Sequence, residues 1–249
     1  MTAAIEINGL NKTYPGGHQA LTDFSLRVEQ GEIFGFLGPN GAGKTTTIKI
    51  LLGLLAPSSG TVSVLGGDPT KPGTRTRVGY LPEVANYYEF MNVGELLKFY
   101  GRVSGMDDSA IRNRTDELLD LVGLEPDARK RMLGKFSKGM LQRAGIAQAL
   151  LHDPDLLILD EPMTGLDPLA RLQMRDVITR LRDSGKTVFF SSHELSETEV
   201  VCNRFGILNK GRLCWCGKAS DMVGDGEANL ERIFLKIIQD DTTEGSGNE

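Results

Sequence analysis

Residues Gly38, Pro39, Asn40, Gly41, Ala42, Gly43, Lys44 and Thr45 read GPNGAGKT and satisfy the pattern G-x-x-x-x-G-K-[ST] at every fixed position. Glycines let a backbone curl until successive N–H groups face one anion. A helix opening at Lys44 aims its positive dipole end at the same point. An ammonium at 44 then reaches the outer phosphates of a nucleotide. The Thr45 hydroxyl suits Mg²⁺, and Thr46 adds a hydroxyl for a phosphate oxygen.

A second constellation is LLILDE, residues 156–161. Four apolar residues form a buried strand whose C-terminal end presents Asp160 and Glu161, and open parallel sheets bind ligands at those ends. Asp160 is placed to orient a hydrated Mg²⁺ and Glu161 to polarise an attacking water as general base. Two acids capping the next helix is the plainer reading of the pair taken alone. His193, in TVFFSSH, follows another apolar run and is expected on the same sheet edge. A neutral imidazole there can hydrogen-bond a terminal phosphate, although a lone histidine after a strand is more often a cap. His18 in a turn and His152 at a helix end read as structural.

These groups need a scaffold. AAIEINGL, FSLRV and EIFGFLG read as strands, with the turn signal PGGHQ between the first two. Ile33 to Leu37 is nearly all apolar, as a strand buried on both faces must be. KTTTIKILLGLL is helical up to about Gly53, and GTVSVLG and RVGYLP are further strands. Residues 92–151 then carry three successive helical patterns, with Asn92, Ser109 and Ser137 as expected N-caps. Strand and helix alternation resumes with LLILD, LARLQMRDVITRLRDSG, TVFFSS, ELSETEVVC and RFGILN, which implies parallel strands joined by crossover helices. NLERIFLKIIQ is a terminal helix, followed by a tail of disordered composition.

The composition, 40% hydrophobic and 24% charged over 249 residues, is that of a globular chain, and its formal charge of −5 argues against a nucleic-acid partner. Three cysteines, Cys202, Cys214 and Cys216, are too few for a disulfide framework and read as packed thiols in a reducing compartment. No apolar run reaches the roughly 18–20 residues of a membrane span, and the N-terminus lacks the features of a secretion signal. The chain is expected to be soluble by itself, so any membrane role comes through a partner.

The order of the motifs resembles the ATP-binding subunit of ATP-binding-cassette (ABC) transporters, over residues 3–220. GPNGAGKTT looks like the Walker A motif of that family, LLILDEP its Walker B, TGLD its D-loop with Asp167, and SSHE its switch-histidine segment. The resemblance implies an α/β P-loop NTPase core with an antiparallel β subdomain and an inserted α-helical signature subdomain. The expected division is residues 1–83 and 153–220 for the core, 84–152 for the helical arm, 221–240 for a helical extension and 241–249 for a disordered tail.

It also implies ATP and Mg²⁺ as ligands and Tyr14 as the aromatic that stacks on adenine. The usual LSGGQ signature corresponds to Phe136, Ser137, Lys138, Gly139 and Met140. Ser137 and Gly139 are retained, whereas Lys138 replaces a glycine and Met140 a glutamine. Glu83 stands where a glutamine is common, keeping an oxygen ligand for Mg²⁺ or water while adding negative charge. LPE and SKGM are similar to the branch that serves ABC-2-type exporter permeases.

Members of the family pair head to tail, as homodimers or heterodimers, with each ATP sandwiched between Lys44 of one copy and Ser137 of the other. The expected setting is the cytoplasm, at the inner face of the cell membrane. There the segment holding Tyr87, Tyr88, Phe90 and Met91 either receives a cytoplasmic coupling helix of the permease or is an internal core cluster. A single-cassette ATPase serving an assembly process such as iron–sulfur cluster biogenesis shares the same core and stays open as the alternative.

Overall fold

Every residue from Ile33 to Leu37 is buried, and this short strand organises the first of two compact units in the computed structural model, which describes residues 2–222 and 230–243. The first unit comprises residues 1–75 and 189–249. Its N-terminal sheet is antiparallel, with β1 (Ala3–Thr13) between β2 (Gln19–Glu29) and β4 (Ser59–Val64). Ile5 faces Val28 on one side and Val64 on the other, and Ile7 faces Leu26 and Val62, so one face of β1 carries its apolar side chains into the core. The β1–β2 turn uses Gly16 at φ 98° and Gly17 at φ 86°, the left-handed backbone that PGGHQ signals.

In the same unit β3 (Ile33–Leu37) runs parallel to β8 (Arg204–Asn209), with Leu37 beside Ile207. The order there is β7 (Thr187–Ser192, of which residues 189–192 belong to this unit), β3, β8 and then β9 (Arg212–Gly217), which is antiparallel to β8. Phe189 stacks on Phe34 with ring centroids 5.9 Å apart and meets Phe36 at a tilt, 5.2 Å away. Burying each such side chain stabilises the fold by about 1.5–3 kcal/mol.

Helix α1 (Lys44–Leu51) follows β3, and a short turn α2 (Pro72–Arg75) closes the N-terminal half. Helix α8 (Leu195–Val201) lies so close to β3 that a Cβ on Gly35 would meet Thr198 Cγ2 at 2.2 Å and Cys202 Sγ at 2.7 Å. Burial pushes the Cys202 thiol well above the ordinary range, and all three cysteines are free. After α9 (Ala219–Met222), helix α10 (Leu230–Thr243) ends the described chain. It takes in the first three residues of the expected disordered tail, and residues 244–249 lie outside the described residues.

The second unit, residues 76–188, contains the parallel pair β5 (Val78–Leu81) and β6 (Leu156–Leu159). Its helices are α3 (Val93–Val103), α4 (Asp108–Leu121), α5 (Pro126–Arg129), α6 (Lys138–Leu150) and α7 (Pro168–Asp183). Asn92 caps α3 in a capping box with Glu95, as expected of a polar residue three positions before a glutamate. The expected cap at Ser109 is corrected. Asp107 caps α4, its carboxylate accepting from the N–H groups of Ser109 and Ala110, and Ser109 sits inside the first turn. A charged acceptor makes the stronger bond to those orphan donors than a hydroxyl does.

Candidate functional site

Two sets of the expected residues are gathered, one in each unit. In the first unit the chain leaves β3 at Gly38, whose N–H donates to the carbonyl of Ser192 at the end of β7 (3.2 Å). A Cβ on Gly38 would stand 2.3 Å from the Leu208 carbonyl oxygen, so only glycine lets the loop pass that close to β8. Gly41 (φ 81°) and Gly43 (φ 111°) supply the left-handed turns that bring the loop back over α1.

Gly43 is also the N-cap of α1. It offers no side-chain acceptor, and the first turn holds no acidic residue, so the N-terminal N–H groups have no carboxylate of their own helix competing for them. Lys44, only 6% exposed, donates through Nζ to the carbonyls of Gly38 (2.6 Å) and Pro39 (3.3 Å). A buried ammonium costs several kcal/mol unless it is well bonded, and this one is held within the loop whose backbone surrounds it. Thr45 and Asn40 are exposed, and Thr46 is half-buried with its hydroxyl 3.2 Å from the Tyr14 hydroxyl.

Tyr14 stands at the β1–β2 turn, its ring stacked 6.4 Å from the His18 ring at 17°, with Lys12 Nζ 5.5 Å from its centroid. His18 thus lies against Tyr14 within the turn, a contact with no spacing signal in the sequence. His193 follows Ser192, and its Nε2 lies 3.9 Å from the Glu194 carboxylate. The Ser192 hydroxyl accepts from the Glu194 N–H (3.0 Å), which shapes the turn that presents the imidazole.

The second unit gathers the carboxylates. Asp160 and Glu161 are buried at 5% and 7% exposure at the end of β6, and the Asp160 N–H donates to the Leu81 carbonyl of β5 (2.8 Å). Glu161 has φ 49°, a left-handed conformation costing about 1–2 kcal/mol in a residue with a Cβ. Thr164 donates its hydroxyl to Glu161 Oε2 at 2.8 Å and orients the carboxylate. The phenol of Tyr80 on β5 is pushed up to about 12, by burial first and then by the charges of Asp160 and Glu83. Those two acids therefore share a region of negative potential at the ends of β5 and β6, which attracts cations.

Around α6, Ser137 is the expected N-cap, its hydroxyl accepting from the Met140 N–H (3.3 Å). Gly139 is buried against α7, where a Cβ would meet Ala170 Cβ at 2.8 Å. Asp167 caps α7 through the Ala170 N–H (2.9 Å), and the first turn of α6 at Gly139 packs against Ala170 and Leu166 within one unit. Lys138 is exposed, and its ammonium lies 2.7 Å from the place a Cβ on Gly165 would occupy. Met140 Sδ accepts from Arg131 (3.3 Å) beside a cleft of about 320 Å³ that Arg143 also lines.

The aromatic segment after Glu83 divides between its two readings. Tyr87 turns inward, its hydroxyl buried next to Gly145 of α6 and its ring 6.5 Å from Tyr100. Met91 is half-buried, whereas Tyr88 and Phe90 stay exposed and join the ring of Phe99. Phe99 borders a cleft of about 420 Å³ with Glu95, Lys98, Arg102 and Val103. Sequence reading had no signal for Tyr80 or Gln142, because their contacts join separate segments, and it marked Thr164 only as part of TGLD, not as the donor to Glu161.

A family profile described as ABC transporter matches residues 21–164, more than half of the chain. The chain belongs to the ABC transporter family. An uncharacterised ABC transporter ATP-binding protein of Synechocystis is 46% identical over 210 residues, 84% of this chain and 59% of that protein. This chain therefore spans less than two thirds of that relative's length. The Nod factor export ATP-binding protein I of Cupriavidus metallidurans is 41% identical over 238 residues, 94% of this chain and 77% of that protein.

A solved structure of the ATP-binding subunit of an ABC transporter superposes with a TM-score of 0.82 at 31% identity, covering 94% of this chain and 99% of that one. The α/β P-loop NTPase fold is thus that of an ABC ATP-binding domain. The matched stretch includes the phosphate loop, Glu83, the signature residues, Asp160 and Glu161. Tyr14, Asp167 and His193 of this ABC protein lie outside it.

Proposed function

We propose that this protein is the ATP-hydrolysing, energy-coupling subunit of a membrane exporter, working in pairs around two ATP molecules and driving a separate permease. The observation that carries the reading is Lys44, a buried ammonium held by loop carbonyls at the bare N-terminus of α1. Such an arrangement is prepared for a polyphosphate, which can take over the ammonium and fill the helix end.

In this reading Tyr14 stacks on adenine, and the backbone of Gly38, Pro39, Asn40, Gly41, Ala42 and Gly43 cradles the phosphates with Lys44 and Thr46. Glu161 accepts the proton of the attacking water, held in aim by Thr164 and by its own strained backbone. His193 holds that water and the terminal phosphate in line.

For Mg²⁺ the donor set is chemically suitable, because a hydroxyl and carboxylates are the hard oxygens the ion takes. Asp160 and Glu83 both add to the rise of the Tyr80 phenol that burial chiefly causes, so the two acids lie near one another, which fits a cation. Among the described residues no three His, Cys, Asp or Glu side chains converge, which suits an ion that keeps phosphate and water ligands. Thr45, Asp160 and Glu83 are the residues that would hold it, and there it would neutralise charge building on the phosphates.

Ser137, Lys138, Gly139 and Met140 act on the ATP of a second copy, homologous or identical, with Asp167 at the contact between copies. The helical stretch 84–152 is the arm that carries them. No described helix is long and apolar enough to cross a membrane, and in this reading a separate integral partner supplies the spans. We assign the exposed Tyr88, Phe90 and Phe99 surface to its cytoplasmic coupling helix, which places the protein at the inner face of the membrane. Similarity to a Nod factor export protein supports the outward direction.

The test is phosphate release from MgATP by the purified chain. Glu161→Gln keeps the acceptor for Thr164 and should retain ATP while losing about 10²-fold or more in release. Unchanged release, or a wild-type chain that retains no ATP, rejects the reading.

A further inference from the structure

We propose that the turn Asn209–Gly211, held in place by helix α10, is a positioning element of the phosphate loop, and that Asn209 is the residue linking the two. The inference rests on the ATP-binding reading above and extends it to a segment that carries none of the nucleotide motifs.

The contacts begin at the loop itself. The Gly211 N–H donates to the carbonyl of Ala42 (2.9 Å), and the Gly211 carbonyl accepts from Thr22 N–H (2.9 Å). One oxygen, the carbonyl of Ala20, stands 2.7 Å from a Cβ built on Gly43 and 2.6 Å from one built on Gly211. The two glycines, at φ 111° and φ 79°, are thus pressed against the same point of β2. A shift of the turn must carry the phosphate loop with it or break these contacts.

Asn209 opens the turn and is 4% exposed. Its side-chain amide donates to the carbonyl of Ile238 in α10 (3.1 Å). That bond joins the end of β8 to a helix in which Ile233, Phe234 and Ile237 also pack on a cluster that includes Leu37 and Ile207. Leu37 is the residue before Gly38. Helix α10 therefore supports the phosphate loop twice, once beneath its entry and once through Asn209, Gly211 and Ala42. Without the helix, a buried amide would lose its acceptor and an apolar floor would face water.

Coupling of this kind is reciprocal. If docked α10 favours the loop conformation that binds ATP, bound ATP must favour docked α10 by the same factor. Hydrogen exchange of residues 230–243 and equilibrium affinity for ATP measure the two halves separately, both on the full chain.

In wild type, saturating ATP should slow exchange in α10 by about 5–10-fold, the lower end of the typical coupling between sites. Asn209→Ala should weaken ATP binding by a similar factor and remove the ATP-induced protection. A purely structural role would lower the melting temperature without nucleotide and leave the ATP-induced increment intact. Ile237→Ala, which loosens the helix without touching any sheet hydrogen bond, should act in the same direction should Asn209→Ala not fold. Exchange in α10 that is indifferent to ATP, in a chain shown directly to bind it, overturns the inference. A wild-type chain that fails to bind ATP, indistinguishable from Lys44→Ala, overturns instead the reading on which it rests.

Discussion

Gln142, in the second turn of the signature helix, donates its side-chain amide to the backbone carbonyl of Glu83, 3.1 Å away and 59 residues earlier in the chain. The glutamine is 3% exposed, and its Oε1 has no partner among the described residues. One turn further along the helix, Gly145 makes room for the Tyr87 hydroxyl, also buried without a partner there. The helix that begins at Ser137 therefore grips the segment that begins at Glu83 at two points. Movement of either should be felt by the other.

Replacing Gln142 by Met keeps the volume but removes the donor from a part-buried carbonyl, which costs about 0.5–1.5 kcal/mol. Urea unfolding should report that loss. If the grip on Glu83 also serves catalysis, phosphate release per bound ATP should fall further than ATP affinity does. Equal falls in both would reduce Gln142 to a packing residue.

Thr164→Val should leave the fold almost untouched, since Thr164 is a half-buried residue in an irregular turn, yet it removes the donor to Glu161 Oε2. Loss of one hydrogen bond to a charged group amounts to about 1.5–3 kcal/mol, or roughly 10–100-fold in rate if the bond aims the base. Steady-state kinetics with ATP decides this: a fall in kcat at constant KM is the expected pattern, and a wild-type kcat removes Thr164 from the mechanism.

Lys138 and Gly165 form a testable pair because the ammonium sits over the glycine at φ 69°. Gly165→Ala should cost about 1–2 kcal/mol from the left-handed backbone alone. Lys138→Gly should relieve any additional cost, so the double variant should be more stable than the two single effects summed. Strict additivity in unfolding free energies would show that the amine merely rests there. The same Lys138→Gly chain should pair differently with ATP, and size-exclusion profiles identical to wild type would return Lys138 to a solvated surface.

His152 provides a pH test. Burial is the main cause that lowers its imidazole below the ordinary range, partly opposed by the Val78 carbonyl at 3.3 Å and by Asp153. A lowered value means that the neutral ring is the folded form. Its contribution is present above the unfolded value of about 6.5 and is lost as pH falls through the folded value. Thermal unfolding between pH 7.5 and 5.5 should therefore show a shallower loss in His152→Gln than in wild type. Asp153, held down chiefly by its bond to Lys186, titrates lower and should act alike in both chains.

Much of the site was legible before any fold was known, for a physical reason. A phosphate loop is a local object: its glycines, its lysine and the helix that follows are consecutive, so spacing alone reveals them. The same holds for Asp160 and Glu161 at the end of LLIL, for Ser137 as a helix cap and for the capping pair Asn92 and Glu95. The cap of α4 was misread because Asp107 and Ser109 are both acceptable, and only backbone geometry shows whose oxygen meets the free N–H groups.

Tertiary structure alone decided the rest, because the decisive contacts join residues far apart in sequence. Gly38 reads as a phosphate-loop glycine, yet what forbids a side chain there is the carbonyl of Leu208. Tyr87 and Tyr88 are neighbours of one chemistry, and packing against Gly145 sends the first inward while the second stays in water. Glu161 takes a strained backbone that no propensity predicts. NLERIFLKIIQ, which sequence shows only as a terminal helix, proves to pack on the cluster that includes Leu37 and to bond Asn209, because its apolar face and a buried amide had to find partners in the same place.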